Sequence, residues 1–190
     1  MPADRKKTGT RVQLRHRLVG LTGKNGTGKG EVAAYLMKKG YAYVSLSDEI
    51  REELRRKGVP ITRDSLIAAG NALRRRYGAD VLARRAMKKV RGRTVIDSIR
   101  NGREVAFLRQ QKNFILVAVD APFEIRYERT RQRGRAESAE SLEEFAAKEK
   151  MEMTGGTSGQ QIRRCLDQAD VTIVNEGSLE ALHRQIEERL

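Results

Sequence analysis

The chain has 190 residues, enough for a single domain with its own core, and its 39 Lys and Arg against 25 Asp and Glu give a formal net charge of +14. An excess of that size directs attention to polyanions: nucleic acid, an anionic membrane surface or phosphorylated ligands. A single cysteine, Cys165, excludes an intramolecular disulfide and every multi-cysteine zinc centre, the zinc-deaminase type included, and no apolar run nears the ~18 residues that would span a bilayer.

The first seventeen residues set six basic side chains against Asp4 and read as a basic arm, residues 1–17, ahead of one domain, 18–190. No apolar h-region accompanies that charge, so no secretory leader is expected, and the expected location is the cytoplasm. Leu18–Leu21 is a short apolar run ending in glycines, as a buried strand would. Glu31–Lys39 has Val32 and Leu36 one turn apart and predicts a helix. Tyr41–Leu46 predicts a strand and Asp48–Lys57 a helix with Ile50 and Leu54 inward. Residues 62–91 predict two Arg-rich helices broken near Tyr77-Gly78. Thr94–Ile96 predicts a strand, Glu104–Gln110 a helix and Phe114–Val119 a fully buried strand. Pro122 suits the first turn of a helix that runs through Arg131. Ser141 and Glu144 have capping-box spacing ahead of Phe145. Met153–Gly159 is a glycine-rich break, Val171–Val174 a last strand, and Leu179, Leu182, Ile186 and Leu190 form the stripe of a terminal helix. Five buried strands separated by helices imply an α/β domain, a five-stranded parallel sheet with helices on both faces. Cys165 is expected to be buried as a small apolar residue.

The strongest chemical signal is Gly23-Lys24-Asn25-Gly26-Thr27-Gly28-Lys29-Gly30, placed after the first strand and opening a helix. Glycines allow such a loop to wrap phosphate with its backbone N–H groups, backed by the positive end of the helix, and Lys29 adds a mobile charge for the terminal phosphates. The pattern is that of a P-loop except at its last place, where Gly30 stands instead of the hydroxyl residue that ligates magnesium. Gly23, Asn25, Gly26, Thr27, Gly28, Lys29, Gly30 and Glu31 are therefore the candidate nucleotide site.

Glycine after the P-loop lysine resembles adenylate kinase and the other nucleoside monophosphate kinases. Asp97-Ser98-Ile99-Arg100 resembles their Asp-Gly-x-Pro-Arg element, without its Gly and Pro. That likeness implies that Asp97 orients magnesium-bound water and Arg100 grips the acceptor's phosphate. Arg126, Arg129, Arg131, Arg133 and Arg135 resemble the arginine-bearing lid of the same kinases, at about residues 129–140. Arg129 would then meet the nucleotide, and Arg133 and Arg135 would meet the transferring phosphoryl group, whose charge guanidinium forks stabilise. The acceptor region falls at about 47–91, with Arg51 and Arg74 as further phosphate ligands. Asp48 resembles the acidic residue of dephospho-CoA kinases, one of the two acids they carry there, and could take a hydroxyl proton or simply favour its helix dipole. Ala169-Asp170 through Asn175-Glu176-Gly177-Ser178 resembles the same enzymes, whose turn lies against adenine; this puts Asn175 and Gly177 with the nucleotide.

These features together imply the P-loop kinase fold and an enzyme using ATP and Mg2+ to phosphorylate a small-molecule acceptor. A nucleoside or deoxynucleoside monophosphate is favoured by Lys29-Gly30 and Asp97/Arg100, dephospho-CoA by Asp48 and the Asn175 turn. A reading of another class, an NTP-binding regulatory or nucleic-acid-associated protein, rests on the charge. It is weakened by an aromatic content of 5% without tryptophan, which leaves few base-stacking platforms. Monomer and homodimer remain equally open.

Overall fold

The computed structural model describes residues 17–132 and 141–190. In chain order the elements are β1 (Leu18–Thr22), α1 (Lys29–Lys38), β2 (Ala42–Ser45), α2 (Leu46–Arg56), α3 (Arg63–Tyr77), α4 (Val81–Lys89) and β3 (Thr94–Ile99). There follow α5 (Gly102–Leu108), β4 (Phe114–Asp120), α6 (Phe123–Gln132), α7 (Leu142–Met153), α8 (Ile162–Asp167), β5 (Val171–Val174) and α9 (Leu179–Arg189). The strands form one sheet in the order β2-β3-β1-β4-β5, with every pairing parallel.

Both faces of the sheet are covered, which is why its central strands read as unbroken apolar runs. On one face Val19 and Leu21 of β1 pack with Val32 and Leu36 of α1 and with Leu182 and Ile186 of α9. On the other, Ile96, Ile99 and Leu116 pack with Ile50, Leu82, Val105 and Cys165 from four different helices. The carboxyl ends of β1 and β3 are neighbours, so the glycine loop after β1 and the turn after β3 open on the same edge, where α/β sheets bind ligands. No helix among the described residues is long and apolar enough to cross a membrane.

Three local outcomes depart from the sequence reading. Helix α2 starts at Leu46 because Ser45, at the end of β2, caps it by accepting from the Ser47 N–H. Helix α8 has no counterpart in the sequence reading, since only Ile162 and Cys165, both fully buried, mark its inner face over six residues. Leu179 is half exposed, because it directly follows the cap Ser178 and precedes the buried stripe of Leu182 and Ile186.

The turn after β3 is fixed by a carboxylate. Asn101 and Glu104 form a reciprocal capping box at the start of α5, and Glu104 is fully buried. Its Oε2 accepts from the backbone N–H groups of Arg100 and Asn101 at 2.9 and 3.0 Å. Its Oε1 accepts from Nε and Nη2 of Arg74 at 2.9 and 2.8 Å, tying α3 to the same turn. Glu104→Ala leaves Arg74 buried without its counter-charge, and removal of one partner from a buried pair costs about 3–5 kcal/mol. Denaturant unfolding is expected to show a loss of that size; a change below about 1 kcal/mol would contradict the assigned role.

Candidate nucleotide and acceptor site

The loop after β1 has the backbone of a phosphate cradle. Gly26 and Gly28 sit at φ values of 79° and 91°, a region that side chains avoid. A Cβ on Gly28 would stand 2.0 Å from Nδ2 of Asn175, and one on Gly26 would stand 2.4 Å from the Arg126 carbonyl oxygen. The loop therefore runs too close to its surroundings for any other residue. The Lys29 ammonium folds back over it, donating to the carbonyls of Gly23 and Lys24 at 2.9 and 2.7 Å. It is held across the loop mouth, beside the first turn of α1, whose N–H groups favour anions.

Two residues singled out on the tail and the lid meet behind this loop. Asn175 is 4% exposed and donates from Nδ2 to the Thr27 carbonyl at 3.0 Å, while Nη1 of Arg129 donates to the Asn175 carbonyl at 3.1 Å. Gly177 lies further out and is exposed. Arg126, grouped with the lid by its spacing, is instead an internal tie. It is 2% exposed, donates to the Ala121 carbonyl at 2.9 Å and pairs with Glu149 of α7. Arg131 is exposed beside Glu128. Arg133 and Arg135, and with them residues 133–140 of the expected lid, lie outside the described residues.

A cavity of about 420 Å³ opens between the glycine loop, α2, α3 and the turn after β3. Lys29, Glu31, Arg51, Arg74, Asp97 and Arg100 all line it, so most of the residues assigned to phosphate and acceptor come together. Asp48 does not. Its side chain is 62% exposed and stands 4.0 Å from Arg51, outside the cavity lining. With α2 starting at Leu46, Ser47 takes the cavity wall and the next residue is turned about 100° away by the helix. Asp97 is 8% exposed and accepts from the Tyr43 hydroxyl at 3.0 Å. Burial of that hydroxyl, then the Asp97 charge, hold the Tyr43 pKa well above the ordinary tyrosine value. Ser98 keeps a left-handed backbone, φ 64°, so the turn retains the conformation that suits the missing glycine.

No group of three or more His, Cys, Asp or Glu side chains placed to hold a metal occurs among the described residues. A nucleotide-borne magnesium does not need one, because phosphate oxygens and water fill most of its six places. Asp97, a carboxylate on the same cavity as the glycine loop, fits a protein contact that such an ion takes through water. Cys165 takes no part: burial, then the Glu104 charge, push its thiol up to about 12.

The sequence reading missed Arg63 and Glu152, both in the cavity wall. Arg63 opens α3 and donates from Nε to Oε1 of Glu152 at 2.8 Å, and Arg100 donates from Nη1 to Oε2 at 2.8 Å. The structure buries Arg63, Gly70, Leu73 and Arg74 on one face of α3, and nothing in the sequence alone marks Arg63 as inward. Burial alone would raise the Glu152 pKa, but Arg100 and then Arg63 outweigh it and hold the carboxylate below the ordinary range. A depressed folded pKa makes this network stabilising above the unfolded glutamate value of about 4.3, and the contribution is lost as pH falls through the folded pKa. Between about pH 6 and about pH 3 the melting temperature is expected to fall more steeply for the natural protein than for Glu152→Gln. Parallel curves would remove Glu152 from the acid response.

The family model described as AAA domain matches residues 19–152. A UPF0200 protein of Pyrococcus horikoshii is 34% identical over 176 residues, covering 88% of this chain and 92% of that one. A UPF0200/UPF0201 protein of Archaeoglobus fulgidus is 29% identical over 185 residues; the match takes in 93% of this chain and 56% of that longer protein. Among solved structures, shikimate kinase from Aquifex aeolicus superposes with a TM-score of 0.56 at 18% identity, covering 89% of this chain and 92% of the enzyme. That last likeness is one of fold.

Proposed function

This chain belongs to the AAA domain family and to the UPF0200 proteins, and from that premise we propose that it is an ATP-dependent kinase. Its acceptor in this reading is a small anionic metabolite, first a nucleoside or deoxynucleoside monophosphate. The observation that carries it is the shared cavity, which places Lys29 of the glycine loop, Asp97 and the acceptor-side Arg51, Arg74 and Arg100 around one space. A pure nucleotide-binding module has no need of a second, arginine-lined wall facing the phosphates. The P-loop kinase fold shared with shikimate kinase supports the reaction class.

The triphosphate would lie along the glycine loop, with Lys29 turning from the Gly23 and Lys24 carbonyls to the terminal phosphate oxygens. Magnesium, when bound, would neutralise phosphate charge, and Asp97 would hold its water. Arg100 and Arg51 would hold the acceptor so that one of its oxygens attacks the γ-phosphorus as the bond to the β-phosphate oxygen breaks and ADP leaves. Catalysis of this kind is mainly positioning and charge stabilisation. Arg133 and Arg135 are assigned to the charge that develops on the transferring group. A monophosphate acceptor is already ionised at neutral pH and needs no general base, in keeping with Asp48 outside the cavity.

Dephospho-CoA stays as a second reading for one reason. A further cavity of about 460 Å³ adjoins the first at Ile67, Glu152 and Gln160, and a longer acceptor would extend there where these side chains give way.

An ADP-release assay across nucleoside monophosphates and dephospho-CoA tests the proposal; absence of acceptor-dependent ADP from the whole set would refute it. Lys29→Ala is expected to keep its circular dichroism spectrum and lose at least about 10²-fold in kcat, as loss of a charge acting on the transferring phosphate does. Near-normal turnover would remove Lys29 from the reaction. Asp48→Asn is expected to keep kcat within about threefold. A drop of about 10²-fold, the size of a lost general base, would return Asp48 to the chemistry and favour a hydroxyl acceptor.

A further inference from the structure

We infer that Arg63, together with Arg100, forms the subsite for a phosphate monoester of the acceptor. This rests on the kinase reading for the word acceptor, but the anion site itself stands on separate observations. Arg63 is 7% exposed and lines the cavity beside Arg100 and Glu152. Its Nε is taken by Glu152, while Nη1 and Nη2 are buried with no hydrogen-bond partner. Buried guanidinium donors left unpaired are costly and rare in proteins. The end-on pair of nitrogens is the edge that accepts an oxyanion in a two-pronged contact.

The charge around these donors has the right sign for an anion. Arg63 and Arg100 share the one carboxylate of Glu152, and Arg74 is matched by Glu104. The buried network is therefore one positive charge in excess. Arg51, ion-paired with Asp48 at 4.0 Å, stands nearby on α2. A phosphate monoester answers the surplus with an oxyanion that can take both outer nitrogens of Arg63 and still reach Arg100, where a carboxylate has only two oxygens.

The surroundings also permit the guanidinium to deliver its donors. Arg63 lies over the Phe145 ring, 5.6 Å from its centroid, a contact that allows sliding in the ring plane. Glu152 keeps hold of Nε while the outer nitrogens turn toward an anion at Arg100, whose Nη1 is positioned by Glu152 and by Oε1 of Gln160 at 2.9 Å. Glu152 thus acts as a positioning residue for both arginines. Bound anion satisfies the two orphaned donors and cancels the surplus charge in one step.

Calorimetric titration of inorganic phosphate into the protein saturated with magnesium and a non-hydrolysable ATP analogue tests this apart from the glycine loop, which the analogue fills. Saturable binding at one site is expected, with acetate binding more weakly. Arg63→Gln and Arg63→Lys are each expected to weaken phosphate about tenfold or more, as loss of charge-assisted bonds does, with affinity for the analogue unchanged. Arg63→Lys keeps a cation opposite Glu152 and so decides the matter if the Gln variant unfolds. No phosphate uptake by the natural protein, or equal affinity in Arg63→Lys, would overturn the inference. Arg63-dependent binding with no turnover on any acceptor would sink the kinase reading and leave this site standing; an active kinase indifferent to Arg63 would do the reverse.

Discussion

Glu104 has no contact with solvent, and the turn after β3 and the docking of α3 are built out from it. One oxygen holds the backbone of Arg100 and Asn101, so the turn after β3 has a single shape. The other holds Arg74, so α3 is docked against that turn in one register. Asn101, set by the same turn, donates to the carbonyls of Thr157 and Gly159 at 3.0 and 2.8 Å and seats the glycine-rich segment beside the cavity. A buried charge must have its counter-charge and its hydrogen bonds or the fold loses several kcal/mol. That demand couples the fold's stability to the placement of Arg100.

The arginines of this chain divide by what faces them. Arg126 is held by a carbonyl and a carboxylate inside the packing of α6 and α7 and is structural although its spacing resembles that of the lid arginines. Arg74 lines the cavity with Nε and Nη2 tied to Glu104. Arg100 and Arg63 share the one carboxylate of Glu152, with Gln160 also accepting from Arg100, which fixes their direction while leaving a positive surplus. Pre-organised cations of this kind stabilise a phosphate more than mobile side chains or water, because little is reorganised on binding. In the proposed subsite the overall charge of +14 would have one local use that a sum over the chain cannot show.

The glycine loop works on the same principle with backbone instead of side chains. Gly28 is pressed by the Asn175 amide, and Asn175 is carried there by β5, which pairs with β4. The tail of the chain therefore shapes the loop near its start. Arg129 of α6 closes the same contact from outside by its bond to the Asn175 carbonyl. Any movement of α6 would be felt at the loop through Asn175 and Arg126.

What the sequence by itself determined was whatever depends on neighbours along the chain. The glycine loop with Lys29, the runs at Leu18–Leu21, Phe114–Val119 and Val171–Val174, and the helix faces of α1 and α2 were all legible. Backbone freedom and hydrophobic period are local properties, and they suffice for a parallel sheet covered on both faces. Asp97 and Arg100 were found through resemblance and Arg51 and Arg74 by their place in the acceptor region; the adjacency of β1 and β3 brings the first two to the glycine loop, and the packing of α2 and α3 adds the others. The tertiary structure alone decided which charges are tied into the packing and which line the cavity. Asp48 and Ser47 differ by one position, and the start of α2 at Leu46 sends one to solvent and the other to the cavity. Arg63 and Glu152 are 89 residues apart, and in a list of residues each is an ordinary helix charge. Their pairing, and the two donors it leaves over, exist only once α3 and α7 are packed, because charge in a protein takes its meaning from what is buried beside it.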